Sequence, residues 1–245
     1  MINLSTPTEQ LLQELYGEKE KAEYWHSKMY QSKCTARNTM AEYKEKIRKG
    51  CLRFVGRHSE YKSKSGNRWY SFEIINSVNN GFPLPMILQF VYYETLGSIG
   101  VFAPSWETID PSKPAVKGAT IYTSHFFLRY CERMNIPYRS LRMLQEFSLD
   151  TTSMACIPDE KRGGQDIIYR VPHKGIIKAD RRKDNPAVTV MRTFISDAML
   201  SDSDRRRYAE LMEDSDGDDF IRKSRLNELV LGFHGGGDTL RGLHY

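Results

Sequence analysis

The segment Thr-Ser-His-Phe-Phe-Leu-Arg-Tyr-Cys-Glu-Arg-Met-Asn-Ile at 123–136 concentrates groups that can do chemistry. His125, Arg129 and Arg133 recur at every fourth residue. On a helix that spacing keeps them within roughly 80° of one another, along one flank. An imidazole can move a proton near neutral pH. Two guanidiniums can hold a phosphate and stabilise charge developing on it. Phe126, Phe127 and Tyr130 fall alongside and can face a core. The competing reading is an ordinary surface ridge whose arginines pair with carboxylates such as Glu132 or Glu146.

The elements around this segment follow from local signals. Ser124 can cap a helix that begins at His125 and ends near Asn135, and Pro137 can start another through about Phe147. A polar connection over 150–165 ends in Gly163-Gly164. Three short strands follow, Asp166–Val171, Gly175–Asp180 and Ala187–Ser196, with turns at 172–174 and 181–186. Helix, helix and antiparallel meander make an α+β unit over 120–200.

The order His-x3-Arg-x3-Arg-x-x-Ile on a helix, then a meander whose last strand carries a threonine, resembles the small ribonuclease toxins. These are the RelE-like, BrnT-like and colicin-type group with their phage-encoded relatives. The residues concerned are His125, Arg129, Arg133, Ile136 and Thr193. The resemblance covers 120–200 only, and the connection at 148–165 is longer than in the compact toxins. It implies metal-independent RNA cleavage without a cofactor, in which a ribose 2′-OH attacks the neighbouring phosphate. It makes His125 the proton-transfer group and Arg129 and Arg133 the phosphate holders. Thr193, with Arg192 or Ser196, would line the site from the last strand. His173, at a strand turn, reads as a second acid/base group or as an exposed turn histidine.

The N-terminal half carries different signals. Thr6-Pro7-Thr8-Glu9 predicts a capping box with Thr6 as N-cap. Leu11, Leu12, Leu15, Ala22, Trp25 and Met29 recur at helical spacings, which predicts a helix over 7–31. A second helical stretch follows over 35–50 and ends near Gly50. Residues 56–67 are polar, basic and turn-rich, and read as an exposed loop. Trp69–Val78, Met86–Thr95 and Ser98–Ala103 read as strands, with turn chemistry at Asn79-Asn80-Gly81. The stretch 104–118 holds three prolines and reads as a long loop.

The fold class is therefore α+β. A helical extension occupies 1–55, a β-rich region 56–119 and the α+β core 120–200. C-terminal helices and a Gly-rich tail occupy 201–245, with one helix from Ser201 to about Glu213 and another from Asp218 to Leu231.

Composition bounds the functional classes. Apolar residues make up 40% of the 245, enough for a real core. No apolar run approaches the roughly 20 residues that span a bilayer, and no secretory signal is visible, so the expected compartment is the cytoplasm. Cys34, Cys51, Cys131 and Cys156 lack paired spacing and read as free thiols, with no structural metal expected. Asp214, Asp216 and Asp218 fail as an EF-hand, because Asp219 and Arg225 stand where glycine and glutamate are required. His234 beside three glycines matches no phosphate cradle.

The net charge is +5, with basic stretches before residue 197 and an acidic excess after it. That pattern fits a polyanion partner, and the resemblance implies RNA more than DNA. Contact residues would be Arg57, Lys62, Lys64, Arg68, Lys174, Arg181, Arg182 and Arg192. Trp69, Tyr70 and Phe72 could stack bases or simply fill a core. The N-terminal helices offer a surface to a protein partner. The rival to the ribonuclease reading is a non-catalytic nucleic-acid- or protein-binding protein of a phage or mobile element. A third is an inactive relative of the nuclease fold.

Overall fold

Helix α1 (Thr8–Met29) lays Leu11, Leu15, Glu18, Ala22 and His26 in one buried stripe. The stripe keeps helical spacing, but its last part departs from expectation. Trp25 and Met29 are exposed, and His26 takes the inward position. The start differs as well. Pro7 is the N-cap, and Thr6 Oγ1 accepts a hydrogen bond from the Asn3 amide instead of capping α1. Helix α2 spans Lys33–Arg48. This computed structural model describes residues 2–30, 33–51, 53–79, 82–95, 98–107, 112–158 and 166–213. Residues Asn80 and Gly81, the acidic run at 214–219, the helix expected over 218–231 and His234 lie outside them.

The strands are β1 (Phe54–Lys62), β2 (Arg68–Asn79), β3 (Phe82–Thr95), β4 (Ser98–Glu107) and β5 (Val116–Tyr122). Helices α3 (Ser124–Met134) and α4 (Leu141–Thr151) follow. Then come β6 (Ala155–Pro158), β7 (Asp166–Val171), β8 (Gly175–Arg181), β9 (Val188–Ser196), a 3-10 turn and α5 (Asp202–Glu213). The nine strands among the described residues form one sheet in the order β1-β2-β3-β4-β5-β9-β8-β7-β6. Two antiparallel meanders thus meet at the parallel pair β5–β9. The strands of 56–119 and those of 120–200 share this sheet, and the fold is α+β.

Three segments expected as loops carry strands. Residues 56–62 belong to β1, whose polar side chains face polar partners: Ser59 meets His26 and Arg57 meets Glu73. Residues 116–118 open β5, which lies at the centre of the sheet and buries Ala119 through Tyr122. The connection over 150–165 contains β6, at the far edge of the sheet. Where β5 runs beside β9, the Ala187 backbone occupies the space that a Cβ on Gly118 would need. The close approach of those two chains therefore requires glycine.

Alternation along the strands separates two cores. On one face α1 covers Trp69, Val91, Phe102, Ile121, Val188 and Val190. On the other, α3 and α4 cover Phe72, Phe90, Val101, Ile177, Met191 and Phe194. Phe147 of α4 lies at the centre of this second core, its ring between 4.8 and 6.4 Å from those of Tyr122, Phe126, Phe127, Tyr130 and Phe90. On the α1 side of β7 and β8, Tyr208 of α5 packs on Ile168 and Ile176. No helix among the described residues is long and apolar enough to cross a membrane.

Candidate functional site

Thr123, not Ser124, caps α3. Its Oγ1 accepts from the Phe126 amide at 3.2 Å and donates to the Met191 carbonyl of β9 at 3.2 Å. One hydroxyl therefore both starts the helix and pins it to the sheet. Asn135 ends α3 in the left-handed conformation. Phe126, Phe127, Tyr130 and Cys131 are buried, and burial pushes the Cys131 thiol up to about 11. Their burial fixes the rotation of the helix and leaves the 125–129–133 flank at the edge of the packed face.

His125 is exposed. Arg129 is half-buried, and its Nη1 donates to Glu132 Oε2 at 2.8 Å. That is one of the carboxylate pairings the surface-ridge reading expects; Glu146 instead faces Arg142 at 3.7 Å. Arg133 differs. Its Nη1 is buried and has no hydrogen-bond partner among the described residues. Desolvation, and then repulsion from Arg129, hold its pKa below the usual arginine value, with Glu132 opposing. Two guanidiniums thus sit close enough to repel, and one carboxylate serves them incompletely. An anion beside the two guanidiniums would relieve their repulsion.

Thr193 does not join this flank. The Phe194 ring lies 5.3 Å from that of Tyr130, so Phe194 points at α3. Ile195 packs into the cluster beneath α5, on the other face. Thr193 lies opposite Lys178 and shares that other face. The bulge between Lys178 and Ala179 places Arg192 on the same side, where its Nε donates to Asp180 at 2.5 Å. Ser196 alternates with Ile195 and returns to the α3 side. His173 is exposed and left-handed in the β7–β8 turn.

Most of the expected basic contact residues are engaged internally. Arg57 donates to the buried Glu73 at 2.7 Å on the α1 face. Arg68 pairs with Glu60 at 2.9 Å, and Arg182 with Asp184 at 2.9 Å. Lys174 reaches the buried Asp150 at 2.6 Å, which also accepts from Tyr130 Oη at 2.6 Å. Lys62 and Lys64 are exposed and Arg181 is half-buried; none of the three has an ion pair among the described residues. Trp69 and Phe72 are fully buried core, while Tyr70 is partly buried.

Sequence reasoning missed Arg139 and Tyr92. Arg139 follows α3 in a left-handed turn, and its Nη2 donates to Glu94 Oε1 at 3.2 Å. Tyr92 lies opposite Arg68 on β3. No spacing pattern marks either, since the pairing register brings them together. No group of three or more His, Cys, Asp or Glu side chains converges to hold a metal among the described residues. No family model, curated protein or solved structure matches the chain.

Proposed function

We propose that the α3 flank holds an RNA phosphate and that His125 moves the proton that drives cleavage beside it. The observation that carries this reading is the pair Arg129 and Arg133, two guanidiniums that repel each other and share one carboxylate, Glu132, one helical turn from an exposed imidazole. Arg129 and Arg133 bind the phosphate oxygens and stabilise the charge that grows on them. The neutral imidazole takes the proton from the ribose 2′-OH, and the freed oxygen attacks the adjacent phosphorus. The bond to the 5′-oxygen breaks, and the imidazolium returns its proton to that leaving oxygen. The products are a 2′,3′-cyclic phosphate and a 5′-hydroxyl. Thr193 has no part in this arrangement, because it lies on the opposite face of the sheet.

A mixed RNA pool incubated with the protein should yield 2′,3′-cyclic phosphate ends, in EDTA as well as without it. His125→Ala should lower the rate by roughly 10² to 10⁴ with little loss of affinity, since proton transfer acts in the transition state. Arg133→Ala should weaken binding and rate together. Full activity in His125→Ala would remove the chemistry from this flank.

One observation favours the non-catalytic reading. The flank carries a single imidazole, and its nearby carboxylate, Glu132, is committed to Arg129. RNA that binds at the flank and is never cut would decide for that alternative.

A further inference from the structure

Beyond the C-terminal end of α3, on the same sheet face, two tyrosines are partly buried at the margin of the core. Tyr70 on β2 and Tyr92 on β3 have ring centroids 5.9 Å apart. The Arg68 guanidinium lies over both, 5.8 Å from one ring and 5.4 Å from the other, and its Nη2 donates to Tyr70 Oη at 2.8 Å. Lys62 pairs with Arg68 in the strand register, and Lys64 follows in the turn between them. Arg139 reaches in from the α3–α4 linker to Glu94, which also accepts from Tyr92 Oη at 3.4 Å. Side chains of Arg68 and Arg139 remain nearly half exposed despite these contacts.

We infer that Tyr70, Tyr92 and Arg68 form a stacking platform for a base of single-stranded RNA, whose backbone runs on to the α3 flank. The inference rests on the RNA reading of that flank and specifies the form of its substrate. Planar groups at the surface bind nucleobases by stacking, which is tolerant of sequence. The surrounding cations, Lys62, Lys64 and Arg139, suit the phosphates on either side of such a base. A duplex has its bases already stacked and offers none to the platform. The link between platform and flank is covalent and short: Arg139 lies six residues after Arg133, and the Tyr138 hydroxyl accepts the Ile99 amide at 2.8 Å, anchoring the linker to β4.

The test compares a labelled decauridylate with inorganic polyphosphate, using fluorescence polarisation and competition on the full chain. Tyr92→Leu should weaken decauridylate binding by about five-fold or more while leaving polyphosphate binding unchanged. Tyr92→Phe should retain wild-type affinity, because the ring remains. Thermal unfolding of each variant separates lost stacking from lost fold. If Tyr92→Leu is unfolded, Arg68→Gln serves as the second variant, with decauridylate binding expected to fall more than polyphosphate binding. Unchanged decauridylate binding in folded Tyr92→Leu and Arg68→Gln overturns the platform. If Arg133→Ala still abolishes binding in that case, the flank reading stands alone. Selective loss in Tyr92→Leu with full binding in Arg133→Ala supports the platform and removes the flank. A wild-type protein that binds neither probe overturns both.

Discussion

The two faces of the sheet serve their buried charges differently. Beneath α1, the buried carboxylates are matched, while the neutral atoms His26 Nε2, Gln89 Oε1 and Tyr93 Oη are buried there without a hydrogen-bond partner among the described residues. Glu18 accepts from Trp69 Nε1 at 2.8 Å, Asn67 Nδ2 at 3.0 Å and the Ser65 hydroxyl. Glu73, 3% exposed, accepts from Arg57, and His26 bonds Ser59 at 2.7 Å. Beneath α3 and α4 the interior is aromatic, with Asp150 satisfied by Tyr130 and Lys174. At that face's edge, however, Arg133 keeps a buried donor unpaired beside Arg129. Buried polar groups are normally satisfied, because an orphan forfeits its hydration with nothing in return. The served carboxylates of the α1 face contribute stability, and under the proposed function the rim at Arg129 and Arg133 is where an external anion would act.

The largest effect on the aromatic side should come from Phe147→Ala. The residue is fully buried among five aromatic neighbours, so its removal should cost about 3–5 kcal/mol. Urea denaturation would check this, and a loss below about 1 kcal/mol would show that α4 is loosely docked.

On the matched side, Arg57→Ala should cost about 1–3 kcal/mol, because it removes the guanidinium that serves buried Glu73 and leaves His26, 3.9 Å away, as its neighbour. Acid should expose the same dependence. Burial raises the Glu18 and Glu73 carboxyls, but hydrogen bonds outweigh it and leave both below the usual carboxylate range. Their folded pKa values thus lie under the unfolded one. The stability they contribute is complete above about pH 4.3 and is lost as pH falls through the folded values. Unfolding free energy measured from pH 7 to 3 should hold level and then drop below about 4.3. Glu73→Gln should be less stable at neutral pH and show a shallower acid limb. An unchanged limb would mean that Glu73 is not a main source of the acid response.

This contrast was only partly legible in the sequence. Helices α1, α3, α4 and α5 and the meander β7–β9 follow local periodicity, and the α+β class follows from them, but the starts of three helices differ: Thr6, Ser124 and Pro137 were expected to open α1, α3 and α4, whose N-caps are Pro7, Thr123 and Ser140. Strand β1 was hidden because its inward residues are Ser59 and Arg57, polar groups whose partners lie on α1 and β2. Strand β5 was hidden by the prolines before it, and its parallel pairing with β9 joins segments more than 60 residues apart. The placement of Thr193 turned on one extra residue, Arg192, because a bulge changes which face the next side chain takes. The ion pairs of Arg57 and Lys174 were equally hidden, since Glu73 and Asp150 lie 16 and 24 residues away. Spacing alone brought His125, Arg129 and Arg133 to one flank, but it carried no information on which of them would lack a partner.

The smallest expected effect is the most discriminating. Arg133→Met keeps a long apolar stem against the α3 face while removing the guanidinium. It deletes a buried donor without a partner and ends the repulsion with Arg129, leaving the Arg129–Glu132 pair intact. Both changes favour the folded state, and only the lost attraction to Glu132 opposes them. Stability should therefore stay within about 0.5 kcal/mol of wild type or rise, the opposite of Arg57→Ala. Polyphosphate should raise the melting temperature of the wild-type protein, since a ligand of the native state stabilises it. Arg133→Met should lose most of that gain. A variant destabilised by more than about 1 kcal/mol would mean that Arg133 is matched inside the protein after all, and the two faces would then differ only in composition.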